Sequence, residues 1–246
     1  MKKIVDFIKD TYDQAGKNKA VIAVSGGIDS AVSLTLLTQA LGPEAVFPLL
    51  LPYHDQEIAD SQELVSLNQI PEENISIINI GPVVYQFQQT LQVDSSDRMR
   101  LGNIMARARM IAVFDKAKNL DALVCGTENK SEHYLGYFTR YGDGASDLEP
   151  LLGLYKTQVR ALAEELHLPA KFLEKDPSAG LWQGQTDEQE LGFTYEIADQ
   201  VLTQLIDERK PVVEIKVEGV DESTIGRVIT RVKGTEFKHQ VPYSNT

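Results

Sequence analysis

The sequence is short of basic charge, of cysteine and of long apolar runs, and each shortage removes a class of function. Against 36 Asp and Glu stand only 24 Lys and Arg, a formal net charge of −12. A general nucleic-acid binder carries a basic face, so nucleic acid is not an expected partner. The single cysteine, Cys125, allows no internal disulfide and no cysteine-rich metal site. The longest apolar stretch, residues 45–51, falls far below the length that spans a bilayer. Lys2, Lys3, Asp6 and Lys9 interrupt the first ten residues, which read as neither signal peptide nor anchor. Asn74-Ile75-Ser76 matches a glycosylation sequon, but nothing routes the chain to a secretory compartment. A cytoplasmic address, with no membrane association, is the expectation. Hydrophobic content of 42% and charged content of 24% are ordinary for a globular chain, and 246 residues can bury a sizeable core.

What is present is concentrated first in residues 20–31, Ala-Val-Ile-Ala-Val-Ser-Gly-Gly-Ile-Asp-Ser-Ala. A short apolar run breaks into a glycine turn that opens a helix, with hydroxyls and one carboxylate at the helix start. Such a turn offers a phosphate close backbone approach, unpaired N–H donors and the positive end of a helix dipole. It has neither the G-K-[ST] ending of a Walker A loop nor the G-x-G-x-x-G of a dinucleotide fold. A bare connector between strand and helix has no need of Ser25, Asp29 and Ser30 together. Asp29 taken alone reads equally as a dipole-favoured helix-terminal carboxylate or as a metal ligand.

The first half alternates strand and helix signals. Strands are expected over residues 20–24, 45–51, 75–80 and 121–125, and helices over 30–41, 57–69, 83–91 and 98–119. Strands spaced by such helices imply parallel βαβ units with right-handed crossovers. The fold class is therefore α/β, a doubly wound, mostly parallel sheet flanked by helices. Its ligand belongs at the carboxyl ends of the strands, where residues 25–30 and 126–132 both fall. The second half is less regular. Residues 136–150 read as a structured loop, 156–167 as a helix, and 173–185 as a polar stretch punctuated by Gly and Pro. Helices follow over 195–207 and 221–233, the latter with Asp221 as N-cap. With no repeat and no low-complexity linker, residues 1–246 are expected to form one domain, with an ATP-binding sheet over about 20–126 and ligand-contacting loops and helices over about 127–246.

Ser25-Gly26-Gly27-Ile28-Asp29-Ser30 resembles the pyrophosphate loop of the ATP pyrophosphatase (PP-loop) superfamily, whose members split ATP between its α and β phosphates. Further along stand Gly126-Thr127-Glu128-Asn129-Lys130-Ser131-Glu132, Gly136-Tyr137-Phe138-Thr139-Arg140-Tyr141-Gly142-Asp143-Gly144, Asp147, Pro150 and Leu154-Tyr155-Lys156-Thr157-Gln158-Val159-Arg160. Pro177-Ser178-Ala179-Gly180-Leu181-Trp182, Gly184-Gln185-Thr186-Asp187-Glu188 and Leu191-Gly192 complete the set. In this order they are similar to ammonia-dependent NAD synthetase. The similarity runs to about Tyr195 and resumes faintly over 235–242.

That resemblance implies an amidation of deamido-NAD: ATP adenylates the nicotinate carboxylate, pyrophosphate leaves, and ammonia displaces AMP. It implies ATP contacts from Ala23, Val24, Ser25, Gly26, Gly27, Ile28, Asp29, Ser30, Thr127, Lys156 and Ser178. Asp29 and Glu132 would hold Mg²⁺, Asp29 and Lys156 would act in catalysis, and Arg107, Arg140, Asp147, Phe237 and Lys238 would hold deamido-NAD. A homodimer is implied in the same way. Two residues depart from the family pattern: Arg140 stands where lysine is frequent, and Phe237 where histidine is frequent.

Lys130, Arg140, Lys156 and Arg160 give the middle of the chain local positive charge despite the acidic total. Arg107 and Arg109 are two apart on one helix and so on different faces, at least one of them a solvated or ion-paired residue. Cys125 reads as a packed thiol and His133 as local polar packing. Trp182 reads either as buried packing or as a stacking surface for substrate. Segments 94–100 and 175–185, both polar and the second bearing Gly180 and Gly184, have the character of lids. Two other readings stand beside the first, another amidating ATP pyrophosphatase and a non-catalytic nucleotide sensor. The sensor reading would dispense with the acidic pair that Asp29 and Glu132 supply. Glutamine use would need a separate catalytic cysteine, so free ammonia is the expected nitrogen donor.

Overall fold

The structure is a computed structural model that describes residues 1–182 and 184–240. Gln183, inside the 175–185 segment, and Pro242, at the end of the C-terminal similarity, lie outside the described residues. Four strands form one parallel sheet: β1 (Ala20–Ala23), β2 (Val46–Leu50), β3 (Ser76–Ile77) and β4 (Leu123–Cys125), in the order β3-β2-β1-β4. Alternation along the strands divides the apolar residues between two faces. Ala20 and Ile22 of β1 point into a cluster with α1 (Lys2–Ala15), α2 (Ile28–Leu41), α3 (Ala59–Leu67), α7 (Lys156–Glu165) and α8 (Ala170–Glu174). Val21 points the other way, toward α4 (Gly81–Thr90) and α5 (Arg98–Leu120). Helix α2 packs against the sheet, α1, α3, α7 and α8, and accordingly carries buried residues around its circumference rather than one apolar stripe. A third apolar cluster joins α6 (Lys130–Leu135), α10 (Tyr195–Leu202) and α11 (Glu222–Thr235), and α9 (Asp187–Leu191) lies between α6 and α10 in the chain.

Several boundaries differ from the sequence expectation for identifiable reasons. The strand expected over 75–80 narrows to Ser76–Ile77, although Ile78 and Ile80 still donate to the carbonyls of Leu50 and Pro52. There Asn79 turns its side chain to the N–H groups of His54 and Gly81 and breaks the ladder. The strand expected from 121 begins at Leu123, because Asp121 adopts a left-handed conformation (φ 54°) that closes α5. Helix α2 opens at Ile28 rather than Ser30, directly after Gly27. The helix expected over 195–207 stops at Leu202 and continues as a π-turn over Thr203–Asp207. Asp221 does cap α11, accepting from the Thr224 N–H at 2.9 Å. The sequon asparagine, Asn74, is buried and donates to the carbonyls of Glu44 and Val46. Among the described residues no helix is long and apolar enough to cross a membrane.

The strand order places the functional crevice. From β1 the chain winds outward to β2 and β3 on one side, then crosses back to β4 on the other. The reversal lies between β1 and β4, so the loops leaving their carboxyl ends diverge and leave an opening. Residues 24–30 and 126–132 form its two lips.

Candidate active site

Between those lips is a cavity of about 1100 Å³. That is slightly above the roughly 300–1,000 Å³ of an ordinary small-molecule site. The first lip is the glycine turn. Gly26 is left-handed (φ 80°), and a Cβ there would lie 2.8 Å from the Cβ of Asp60. Glycine is required on both counts. Gly27 is the N-cap of α2 and has no side chain with which to cap it. The first-turn N–H groups therefore open to the cavity that Ile28, Asp29 and Ser30 line. The turn is fastened internally: Ser30 Oγ donates to the Gly27 carbonyl at 2.9 Å, and Ser25 Oγ lies 3.2 Å from Ser30 Oγ.

The second lip supplies the partner carboxylate. Asn129 caps α6, accepting from the Glu132 N–H at 3.0 Å, while the Glu132 carboxylate accepts from the Asn129 N–H. This capping box fixes Glu132 at the helix start. The free amide of Asn129 donates across the crevice to Asp29 Oδ1 at 2.8 Å. Into the same gap reaches Lys156, the first residue of α7, whose Nζ is 2.5 Å from Asp29 Oδ2 and 3.0 Å from Glu132 Oε1. The lysine side chain is 3% exposed, and the two carboxylate side chains 15% and 16%. Burial alone would push the Lys156 ammonium down, but Asp29 and Glu132 outweigh it and hold the group above its ordinary value. Burial pushes Glu132 upward, with Asp29 and Asp187 adding to the shift and Lys156 opposing it.

Behind this triad lies a shell to which the sequence assigns no role, although Ser131 and Asp187 fall within the segments that carry the resemblance. Ser131 Oγ accepts the Lys156 N–H at 2.8 Å and donates to the buried Asp199, which also accepts the Thr157 N–H at 2.9 Å. These bonds pin the start of α7 to α6 and α10, which aims Lys156 into the crevice. Asp187 is buried, accepts from Tyr195 Oη at 3.1 Å, and is held above the usual carboxylate range by burial. In the sequence Asp187 has no role beyond its place in a segment that carries the resemblance, and Asp199 has none at all, because an acid at or inside a helix is commonplace. Only the capping signature Asn129-x-x-Glu132 could have pointed to the orienting asparagine.

The other expected site residues divide clearly. Ala23, Val24, Ser25, Thr127 and Ser178 line the cavity, as do Arg107, Arg140, Phe237 and Lys238. Arg107 donates to the Arg140 carbonyl at 3.3 Å. Lys238 Nζ donates to the carbonyls of Gly136 and Phe138, each at 2.7 Å, fastening the C-terminal turn to the cavity rim. The Arg140 guanidinium lies 5.6 Å from the Phe237 ring, a cation–π contact at the position where histidine is frequent. Gly26 is behind the lining, with its carbonyl 3.4 Å from Lys175 Nζ. Asp147 is exposed and off the cavity wall, its carboxylate accepting the Val124 N–H at 2.7 Å to finish the edge of β4. Lys130 and Arg160 also leave the expected basic cluster, paired with Asp207 and Glu196 respectively. Arg107 and Arg109 both line the cavity, Arg109 partly buried and bonded to the Leu51 carbonyl. Cys125 is buried, and its thiol is pushed well up by burial. Trp182 is half-buried on the cavity wall.

Residues 1–242 match the family model described as NAD synthase. The chain is 43% identical over 241 residues to the NH(3)-dependent NAD(+) synthetase of Pyrococcus furiosus, covering 98% of this chain and 91% of that protein. Among solved structures it is similar to NMN synthetase from Francisella tularensis, with a TM-score of 0.85, 33% identity, and coverage of 100% of this chain and 96% of that one. The NH3-dependent NAD synthetase from Campylobacter jejuni has a TM-score of 0.81 at 30% identity, with the same coverage of both chains. These matches extend over sheet, crevice and C-terminal helices alike, and the chain belongs to the NAD synthase family.

Proposed function

We propose that this chain is a ligase that amidates the nicotinate carboxylate of deamido-NAD with ammonia, cleaving ATP to AMP and pyrophosphate. The observation that carries the reading is the convergence of Asp29 and Glu132 on one cation at the foot of an uncapped phosphate loop. The obstacle in this reaction is charge: an anionic carboxylate must approach a polyanionic triphosphate. Catalysis therefore rests on neutralisation and positioning rather than on a protein nucleophile. The N–H groups at the start of α2 receive the phosphates, and Lys156 neutralises them. Ser178 and Thr127 lie across the cavity to hold the nucleotide.

The Asp29–Glu132 pair fits Mg²⁺, because it already closes on the Lys156 ammonium as a stand-in cation. When bound, Mg²⁺ supplies charge neutralisation at the phosphate oxygens and prefers one or two carboxylates plus waters. Arg107, Arg140 and Lys238 bring positive charge to the far side of the cavity, where the dinucleotide phosphates belong. A carboxylate oxygen bonds to the α-phosphorus and the bond to pyrophosphate breaks. Ammonia then bonds to the acyl carbon, loses a proton, and AMP departs with the former carboxylate oxygen.

The net charge of −12 and the single cysteine support a cytoplasmic protein that binds nucleotides rather than nucleic acid. A homodimer is supported by an exposed apolar stripe along α4 and its C-cap, where Val83, Phe87 and Leu91 recur at helical spacing. The solution mass is expected to be twice that of one chain, and Phe87→Glu is expected to halve it; a wild-type monomer would reject the dimer.

The function is tested with the purified chain, Mg²⁺, ATP and deamido-NAD. Ammonium supports formation of NAD and AMP in equal amounts, and glutamine alone supports none. The mononucleotide, nicotinic acid mononucleotide, serves as the competing acceptor. A higher kcat/KM for it than for deamido-NAD would move the assignment to the activity named for the Francisella relative.

A further inference from the structure

One wall of the cavity is formed by residues 177–182, and two contacts from elsewhere in the chain set its position. Gln56, in the loop after β2, donates from Nε2 to the Gly180 carbonyl at 3.3 Å. Its Oε1 accepts from Arg109 Nη2 at 3.1 Å and from the Tyr53 N–H at 3.2 Å. With that oxygen taken by two donors, the amide nitrogen can only face Gly180. Arg109, on α5, also donates from Nε to the Leu51 carbonyl at 3.1 Å, so one guanidinium ties the end of β2 and the Gln56 amide to the helix. The second contact is a socket. Leu181 packs onto Gly102 of α5, where a Cβ would stand 2.8 Å from Leu181 Cδ1. Glycine inside a helix costs stability relative to alanine, so its presence at Gly102 answers a need for space. Gly180 is left-handed (φ 63°), which turns its carbonyl toward Gln56. From the opposite side Asp187 accepts the Ala179 N–H at 3.0 Å, and Gln185 accepts the Leu181 N–H at 2.7 Å.

We infer that Gln56 and Arg109 are positioning residues that dock residues 177–182 over the reaction cavity, with Gly102 as the socket for Leu181. The inference rests on the function proposed above and adds what the docking does there. An acyl-adenylate reacts with water as well as with ammonia: water bonds to the acyl carbon, AMP leaves, and the carboxylate is regenerated with release of a proton. A docked wall keeps that water out. Loss of docking thus uncouples the reaction, with AMP formed in excess of NAD. A merely weakened fold would lower both products together.

The test is Gln56→Glu, which keeps an acceptor for Arg109 and Tyr53 but sets an oxygen against the Gly180 carbonyl. Trp182, the only tryptophan in the chain, sits in the docked segment and reports its environment directly. In the ligand-free variant its emission is expected to shift to the red, with the melting temperature unchanged. In turnover the KM for ATP rises severalfold, and AMP exceeds NAD. Leu181→Ala, which empties the Gly102 socket, is expected to do the same and decides the matter should Gln56→Glu fold poorly. Wild-type emission together with equal AMP and NAD in the folded variants would overturn the inference. Failure of the wild-type chain to make NAD would instead defeat the proposed function, while the emission shift would still report on the docking.

Discussion

Asp29→Asn is expected to leave the chain folded and to reduce AMP formation by about 10³-fold or more, beyond the loss of a single hydrogen-bond donor at a developing charge. The substituted amide keeps an oxygen for Asn129, which now donates to Asp29 Oδ1. Its nitrogen, however, would face the Lys156 ammonium, donor against donor, where the wild-type carboxylate accepts at 2.5 Å. An amide is also a poor ligand for a hard cation. Stability falls without loss of the fold: Lys156 keeps Glu132 at 3.0 Å, and the low end of the about 3–5 kcal/mol for breaking a buried ion pair adds to the about 0.3–1 kcal/mol of the dipole-favoured charge that α2 loses. The checks are single-turnover AMP release and a thermal melt. Wild-type AMP release would remove Asp29 from the mechanism.

Lys156→Met separates the structural and chemical duties of the same cluster. Without the ammonium, Asp29 and Glu132 face each other across the crevice with Asp187 close by, and no positive charge remains between them. Removing one partner from a buried ion pair costs about 3–5 kcal/mol, and the lower end applies because Glu132 can take up a proton. The variant should melt well below wild type in the presence of a chelator. Added Mg²⁺ should recover more of its melting temperature than it adds to wild type, since the ion then fills the place of the lost cation. The stabilisation by Mg²⁺ should weaken as pH falls through about 8, the value to which burial pushes Glu132 up, because the protonated carboxyl no longer binds a cation. A variant as stable as wild type and indifferent to Mg²⁺ would show that the two carboxylates do not share a cation site.

How far the sequence carried the architecture depends on how local each signal was. Residues 20–24 form a nearly continuous apolar run followed by a glycine turn, and that pattern is what a doubly buried parallel strand opening a phosphate loop requires. Asp29 was visible for the same reason. Glu132 was not persuasive alone; it becomes half of a site because the strand order brings the end of β4 beside the end of β1, about a hundred positions away in sequence. Asn129, Asp187, Asp199 and Gln56 were harder still, since their partners lie on elements whose packing no periodicity announces. Asp147 shows the converse. The resemblance implies a ligand contact for it, and what the structure shows is a side chain that accepts from the Val124 N–H at the edge of β4. The run of basic residues is divided, because Lys130 and Arg160 find acidic partners on the surface and only Arg140 and Lys156 turn to the cavity.

Displacement of pyrophosphate from ATP by the nicotinate carboxylate can be followed by isotope transfer. Deamido-NAD labelled with ¹⁸O in that carboxylate, turned over with ATP, Mg²⁺ and ammonium, should yield AMP carrying one ¹⁸O in its phosphate and unlabelled pyrophosphate. Label in pyrophosphate or inorganic phosphate, or ADP as the spent nucleotide, would contradict it.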